Sequence, residues 1–356
     1  MGSCVVSWAL SLLAAAVGTA AVSLAGLSAP ALFGSLLGGM AYALLAPPRL
    51  PLPRMPGGAA TLAQGLVGVS IGVYVDAATA AELAAHGGPI LLVCVMTVVA
   101  SMALGAVLTR RGVSLATGMF AMISGGASGV SAIARELGAD DRVVSVVQYL
   151  RVVIVVAGMP LVTAVVFRPQ GGQAAPVAAA QADGVGVAAF VAICLVLGLG
   201  LARLARLPAG AILGPLIAAV ALSMSGLFPP VLVPAWPEAT AYVVIGLQIG
   251  LRFTRASLRQ IAGLLPAAVG LIVALLIVSA LLGLGLVVWV GVSPLDAYLA
   301  TTPGGLYAVL ATAVDSGADV SFVLTVQVVR LIAVLAAAPV VAHVLRRRGQ
   351  ADRFSS

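Results

Sequence analysis

The sequence has 356 residues, of which 62% are hydrophobic and 8% are charged. Ordinary soluble domains carry roughly 25% charged residues, so this composition excludes an ordinary soluble domain. The net charge of +7 comes from arginine alone, because the chain has no lysine. Most of the arginines lie in short loops between apolar runs, where we expect them to set membrane orientation rather than bind nucleic acid. We therefore predict an all-α polytopic membrane protein whose main partner is the lipid bilayer, with no nucleic-acid partner.

Ten apolar runs predict transmembrane helices, because runs of about 18 to 25 residues can cross a hydrocarbon core of roughly 30 Å. In the first half they lie at about 5–25, 29–46, 59–76, 88–109 and 143–167. In the second half they lie at about 188–202, 208–227, 239–252, 262–290 and 321–345. A Gly-rich segment precedes the last run of each half, at 113–140 and at 297–318. The predicted domains are a first membrane repeat at 1–167, a linker at 168–187, a second repeat at 188–345 and a basic cytoplasmic tail at 346–356.

The second half repeats the first at a constant offset, which is the signature of a tandem duplication. Residues of very different types recur 179 positions later; Gly125, for example, recurs as Gly304. The matched pairs are Gly125-Gly126 with Gly304-Gly305, Glu136 with Asp315, Asp140 with Asp319, Gln148 with Gln327, Arg151 with Arg330 and Pro160 with Pro339.

The distribution of arginine between the loops predicts that the two repeats have opposite orientations. In the first repeat, arginine marks the loop at Arg49 and Arg54 and the loop at Arg110-Arg111, but not the loop 76–87 between them. In the second repeat the equivalent loops are exchanged: 228–238 and 291–296 lack arginine, whereas the loop between them carries Arg252, Arg255 and Arg259. By the positive-inside rule, we expect two inverted repeats of five transmembrane helices.

An inverted repeat needs an odd number of crossings, so we expect each Gly-rich segment to be a re-entrant hairpin. Both termini then lie in the cytoplasm, and the protein is a multi-pass protein of the bacterial cytoplasmic (inner) membrane. Two short spans in place of each hairpin remain the alternative.

The two Gly-rich segments are the candidate substrate site. Irregular backbone in a membrane lies where protein or a water-filled cavity satisfies it, and paired glycine-interrupted segments point to a transport site. The alternative is that these glycines only permit close helix packing. The candidate substrate-binding residues are Ser124, Gly125, Gly126, Ser128 and Gly129 in the first copy and Thr301, Thr302, Pro303, Gly304 and Gly305 in the second.

Two intramembrane arginines, Arg151 and Arg330, complete the candidate site. Such a charge is costly and must face protein or water. One reading is that each guanidinium binds a carboxylate or another oxyanion with two parallel hydrogen bonds. The other reading is structural, with each arginine bonded to free carbonyls of the broken hairpin or paired with an acidic residue. Gln148 and Gln327, three positions earlier, share the same helix face and would line the same cavity.

Glu136 and Asp315 are the candidate coupling residues, with H⁺ or Na⁺ as the coupling ion. They can equally lie in the interface between helices. Asp140 and Asp319 directly precede the last span of each repeat, and we expect them to cap its N-terminus.

These motifs resemble the membrane-embedded AbrB family with internal duplication. The resemblance rests on Ser-Gly-Gly or Thr-Pro-Gly-Gly, then Glu/Asp-x-Gly-Ala-Asp, then Val-Gln-x-x-Arg, and covers nearly the whole chain in both copies. The first copy has Ile123-Ser124 in place of Thr-Pro. The resemblance implies a transporter, although related proteins are also labelled ammonia monooxygenase or regulators of gene expression. The sequence offers neither a copper or iron ligand set nor a soluble DNA-binding module.

We expect a secondary transporter that moves a small anionic metabolite by alternating access, and not an enzyme. Two histidines and three cysteines at unrelated spacings predict no metal site and no cofactor. A membrane sensor or regulatory protein that binds a ligand without moving it is the alternative, and a channel is a third reading. A homo-oligomer is compatible with the sequence.

Overall fold

The structure is a computed structural model, which describes residues 2–47, 50–73, 77–123, 138–168, 184–207, 209–228, 231, 233–260 and 262–354. In these ranges the chain is helical and contains no strand. The first half contains α1 (Gly2–Leu24), α2 (Pro30–Leu45), α3 (Gly57–Gly72), α4 (Ala77–Val107), α5 (Leu115–Met122) and α6 (Asp141–Val162). The second half contains α7 (Gly184–Leu204), α8 (Gly210–Met224), α9 (Ala235–Gly250), α10 (Arg255–Gln260), α11 (Leu265–Val290), α12 (Pro294–Thr301), α13 (Leu306–Ser316) and α14 (Val320–Phe354).

All ten predicted spans fall on helices, which confirms the all-helical, multi-pass character of the chain. Within the described residues, five segments are long and apolar enough to cross a membrane: Cys4–Leu24, Ala85–Arg111, Val143–Phe167, Gly184–Leu204 and Leu265–Val290. Three shorter apolar helices are Pro30–Leu45, Gly210–Met224 and Val320–Val334. The two helices that complete the predicted ten, α3 and α9, have 16 residues each and are therefore about 24 Å long.

The described residues form two compact units, and each unit combines segments from both halves of the sequence. The first unit contains Met1–Glu82, Met159–Ala256 and Leu310–Ser321. The second contains Leu83–Gly158, Ser257–Val309 and Phe322–Ser356. These units are spatial groupings, whereas the predicted domains follow the sequence repeat, so the repeat boundaries stay a prediction.

In the first unit, corresponding helices of the two halves make corresponding contacts. Helix α1 packs on α2, and α7 packs on α8. Helix α2 packs on α9, and α8 packs on α3. Glycine makes these crossings close: a Cβ added at Gly18 would lie 2.2 Å from the carbonyl oxygen of Gly34, and one added at Gly198 would lie 2.4 Å from Pro215 Cα. Each crossing therefore brings one backbone almost against the other, as small residues allow in membranes.

The turns that lead into α2 and α8 also share an unusual backbone geometry. Ala29 and Ala209 both adopt left-handed conformations, with φ of 47° and 50°, immediately before their helices. Three residues earlier, Gly26 has φ of 65° and Arg206 has φ of 50°. Glycine adopts this region without penalty, but a side chain there costs roughly 1 kcal/mol or more. The second copy is therefore strained at Arg206, where the first copy carries glycine.

Replacing Arg206 with glycine is expected to raise the free energy of unfolding by about 1 kcal/mol, because it relieves this strain at an exposed site. Arg203→Gly is the matched control. It removes the same charge from the exposed last turn of α7, where glycine weakens a helix by about 1 kcal/mol. Thermal unfolding in detergent should shift upward for the first variant and downward for the second. A downward shift for both would contradict the strain argument.

The second unit packs apolar side chains from both halves of the sequence around the short helix α5. Its core includes Phe120, Met122 and Val147 of the first half and Ile272 and Leu275 of α11, all of which are buried. In this core the short helix α5 packs against longer apolar helices, and the other short helix, α12, packs against α11. The candidate site is built on these two short helices.

Candidate functional site

The second Gly-rich segment is a broken helix in the second unit. Helix α12 has eight residues and ends at Thr301, and the chain resumes as α13 at Leu306. Thr302 is extended, with φ of −59° and ψ of 123°, because Pro303 disfavours a helical conformation in the residue before it. The hydroxyls of Thr301 and Thr302 donate hydrogen bonds to carbonyls one turn earlier, at 2.8 and 2.6 Å. Both hydroxyl protons are therefore used in hydrogen bonds within the helix and do not point toward a ligand.

The first copy forms the same short helix, which can be followed as far as Ile123. Helix α5 also has eight residues, and Ile123 at its end is extended, with φ of −63° and ψ of 129°. Both helices begin with a serine cap, since Ser114 accepts from the amide of Thr117 at 3.2 Å and Ser293 from that of Asp296 at 3.1 Å. Six predicted residues lie outside the described residues: Ser124, Gly125, Gly126, Ser128, Gly129 and Glu136.

A glutamine and an arginine cap the C-terminal end of α12. The Gln327 amide donates to the carbonyl of Leu299 at 2.9 Å. Arg330 donates through Nη1 to the carbonyls of Thr302 and Thr301, at 2.8 and 3.2 Å. Its Nη2 donates to the Gln327 side-chain oxygen, so the two side chains form one connected cap. Both are buried, with exposed fractions of 2% and 6%.

The first copy repeats this cap on α5. Gln148 donates to the carbonyl of Phe120 at 3.0 Å, and Arg151 donates to the carbonyl of Met122 at 2.8 Å. The Arg151 side chain is 4% exposed, and its buried Nε finds no hydrogen-bond partner in the part of the chain that the structure describes. Arg151 therefore keeps a donor that the described contacts do not use.

These contacts have a physical reason. The last carbonyls of a helix have no partner within the helix, and its C-terminus carries partial negative charge. A buried arginine at the C-terminus of each short helix donates to these carbonyls and places a positive charge beside the partial negative charge. This is the structural role that the sequence suggests as the alternative to anion binding. Among the described residues, only carbonyl and amide oxygens accept hydrogen bonds from Arg151 and Arg330. The second unit therefore concentrates positive charge that these contacts leave without a carboxylate.

Gly304 packs tightly in the second unit. A Cβ added there would lie 2.8 Å from Val155 Cγ1, and Val155 is one helical turn after Arg151 on α6. This contact supports a packing role for Gly304, and it joins the break of the second copy to the arginine helix of the first. Thr301, Thr302 and Pro303 are buried beside it.

Asp315 lies in the first unit, where it accepts a hydrogen bond from the left-handed Ala29 amide. It lines a cavity of about 230 Å³ together with Glu238 and Tyr242. Burial raises the pKa of Asp315, and the Ala29 bond lowers it in part. Burial also raises the pKa of Glu238, which Tyr242 lowers and the charge of Asp315 raises further. Both carboxyls lie outside the candidate spans.

Glu238 was not among the candidate residues drawn from the sequence. It lies at a predicted loop boundary, yet it belongs to the first turn of α9. The signal that could have found it is an acidic residue followed directly by an apolar run. The expected cap at Asp140 is confirmed, because its carboxylate accepts from the Val143 amide at 3.3 Å at the start of α6.

Glu238→Gln is expected to flatten the dependence of stability on pH. The folded state holds this proton more tightly than the unfolded state, so the wild-type free energy of unfolding falls as pH rises from 4.5 through the raised pKa of Glu238. An amide cannot ionise, so the variant should be more stable than wild type above that window and similar to it below. Melting temperatures across the acidic and neutral range test this, and two parallel profiles would contradict it.

Comparisons with known proteins agree with this architecture. The family model described as "Transition state regulatory protein AbrB" matches residues 31–346. The chain is 31% identical over 320 residues to "Putative regulator AbrB" of Escherichia coli (strain K12), covering 89% of this chain and 90% of that protein. It is 26% identical over 350 residues to "Uncharacterized protein YhjN" of Bacillus subtilis (strain 168), covering 91% and 89%. The matched range includes α5, α12 and both Gln–Arg caps, and this membrane protein therefore belongs to the AbrB family.

Proposed function

We propose that the chain is a secondary transporter that moves a small anionic metabolite across the bacterial cytoplasmic membrane by alternating access. The observation that carries this proposal is the pair of matched helix ends in the second unit, where α5 and α12 stop inside the protein and a Gln–Arg pair caps each. Broken helices at corresponding positions of two repeats are a recurrent feature of transporter substrate sites.

The packing of the first unit supports an inverted arrangement of the repeats. Helix α2 of the first repeat packs on α9 of the second, and α8 of the second packs on α3 of the first. This reciprocal exchange is what a two-fold axis in the membrane plane would generate. Together with the arginine distribution, it favours five helices per repeat, re-entrant Gly-rich segments and both termini in the cytoplasm.

The anion would bind beside the two arginines. Each guanidinium has five N–H donors, and the carbonyl caps use only some of them. The break at Thr302–Gly305 and the first turn of α13 would add backbone amides, which favour negative charge. Asp315 and Glu136 remain the proposed coupling residues for H⁺ or Na⁺, and Glu238 joins Asp315 at the same cavity.

Flux into liposomes tests this function. Purified protein would be reconstituted, and uptake of radiolabelled di- and tricarboxylates, amino acids and inorganic anions would be measured with and without proton and sodium gradients. We expect saturable uptake of one anion class, driven by one of these gradients. Uptake that never saturates would indicate a channel, and binding without uptake would indicate a sensor.

A membrane sensor or regulator is the second candidate, and two observations favour it. Helix α14 continues past the apolar segment Val320–Val334 to Phe354, and it carries Arg346-Arg347-Arg348. The Escherichia coli relative is named a regulator. If this reading is right, deleting residues 346–354 would abolish the regulatory output and leave ligand binding intact, whereas a transporter would keep its flux.

A further inference from the structure

The first unit contains a second cavity that neither the proposed transport site nor the coupling residues use. Its volume is about 800 Å³, within the range of roughly 300–1,000 Å³ typical of small-molecule sites. It is bounded by the start of α1, the loop between α2 and α3, and the end of α9. Its lining residues are Cys4, Trp8, Pro51, Leu52, Pro53, Arg54, Met55, Gln248, Leu251 and Arg252.

The polar groups in this lining are all suited to bind an anion. Arg54 and Arg252 contribute two positive charges, Trp8 contributes an indole N–H, and Gln248 contributes an amide. None of the lining residues that the structure describes is acidic. The Arg54 side chain is exposed and forms no hydrogen bond with any residue that the structure describes, so its planar set of donors is available. Such a donor set matches the oxygens of a phosphate.

The wall that carries Arg54 is fixed in place before any ligand arrives. Pro51 and Pro53 restrict its backbone, and the Ser7 hydroxyl donates to the Pro51 carbonyl. Leu52 and Met55 pack against the apolar cluster formed by α1, α2 and α9. A preorganised wall reduces the entropy lost when a ligand binds.

The Arg54 charge of this cavity has no counterpart in the second copy of the duplication. The segment 225–234, which corresponds to the loop carrying Arg54, contains no arginine. Arg54 is therefore not part of the duplicated core, and it lies with Arg252 at one end of the first unit. By the positive-inside rule that end faces the cytoplasm, where basic pockets between membrane helices bind phosphate-bearing headgroups.

We infer that this cavity, which we call the Arg54 pocket, is a cytoplasmic binding site for a phosphate-bearing anion. The phosphate can come from an anionic phospholipid headgroup or from a soluble metabolite. The pocket is separate from the proposed substrate site, because all of its described lining residues belong to the first unit.

Cys4 provides the readout, since it lines the pocket and is exposed while Cys94 and Cys194 are buried. The rate at which a neutral maleimide labels Cys4 would be measured in nanodiscs of phosphatidylcholine, with and without phosphatidylglycerol. A second arm would use phosphatidylcholine nanodiscs with inorganic phosphate or pyrophosphate against chloride at matched ionic strength. At ten times the Kd, occupancy should slow labelling by about tenfold.

Arg54→Gln should abolish this protection, and its exposed position without hydrogen bonds makes a folding defect unexpected. Arg203→Gln is the matched control, because it removes one exposed arginine outside the pocket and should leave the protection unchanged. Protection by phosphatidylglycerol alone would identify a headgroup site, and protection by phosphate or pyrophosphate would identify a soluble anion. Equal labelling rates in every arm, or equal protection in Arg54→Gln, would overturn the inference.

Discussion

Gly198→Leu is expected to prevent stable folding of the protein. Gly198 lies on α7 where this helix crosses α8, and its added Cβ would lie 2.4 Å from Pro215 Cα and 2.5 Å from the Gly214 carbonyl carbon. Both contacts are with backbone, which cannot rotate away as a side chain would. Overpacking a core costs roughly 1–3 kcal/mol where side chains can shift, and a backbone clash exceeds that range. Total stabilities are only about 5–15 kcal/mol.

Gly200→Leu is the matched control for this variant. Gly200 lies two residues further along the same helix, and nothing approaches its position within 4 Å. Leucine is also a better helix former than glycine by roughly 1 kcal/mol. We therefore expect Gly200→Leu to express and purify like wild type, or slightly better, while Gly198→Leu yields aggregated or degraded protein by size-exclusion chromatography. Two equally monodisperse variants would mean that α7 and α8 do not cross at Gly198.

The equivalent pair in the first copy extends the test to the duplication itself. Gly18 and Gly34 meet at the crossing of α1 and α2, where a Cβ on Gly34 would lie 2.2 Å from Thr19 Cα. If the copies share one architecture, Gly34→Leu should be as damaging as Gly198→Leu. A selective defect in one copy would show that the two crossings are not equivalent.

The helices and the break at Thr302–Gly305 were predictable from the sequence because their causes are local. Long apolar runs form helices in a membrane because a helix satisfies its own backbone hydrogen bonds. Pro303 disfavours a helical conformation at Thr302, so the helix ends there. The close crossings were not predicted, because Gly18 and Gly198 look like any other small residue until their partners are known.

The candidate site was also predictable from the sequence only in part. The repeat pointed to Gln327 and Arg330, but only the fold shows that both bond to the carbonyls at the end of α12. Asp315 illustrates the limit, because pairing with an arginine was one reading, whereas it accepts the amide of Ala29, 286 positions away in sequence. Glu238 was not predicted as a site residue for the same reason, since only the fold brings it to the cavity that Asp315 lines.

Arg330→Gln is expected to abolish both transport and anion-dependent stabilisation. Glutamine can still donate to a carbonyl, so part of the cap on α12 survives, but the buried positive charge is lost. An anion that binds wild type should stabilise it by about 2.7 kcal/mol at one hundred times its Kd. If the arginine charge holds that anion, the variant should show no shift in melting temperature with the same anion.

The Gln327→Met variant tests the hydrogen bonds that cap α12 separately from the positive charge of Arg330. Methionine has a similar length and no donors, so this variant loses the hydrogen bonds to the carbonyls of Leu299, Ala300 and Thr302 but keeps the guanidinium. A buried carbonyl left without a partner costs about 1–3 kcal/mol, so its basal melting temperature should fall. Its anion-dependent shift should nevertheless remain. An anion-dependent shift that persists in Arg330→Gln would instead assign Arg330 to capping alone and place the anion elsewhere.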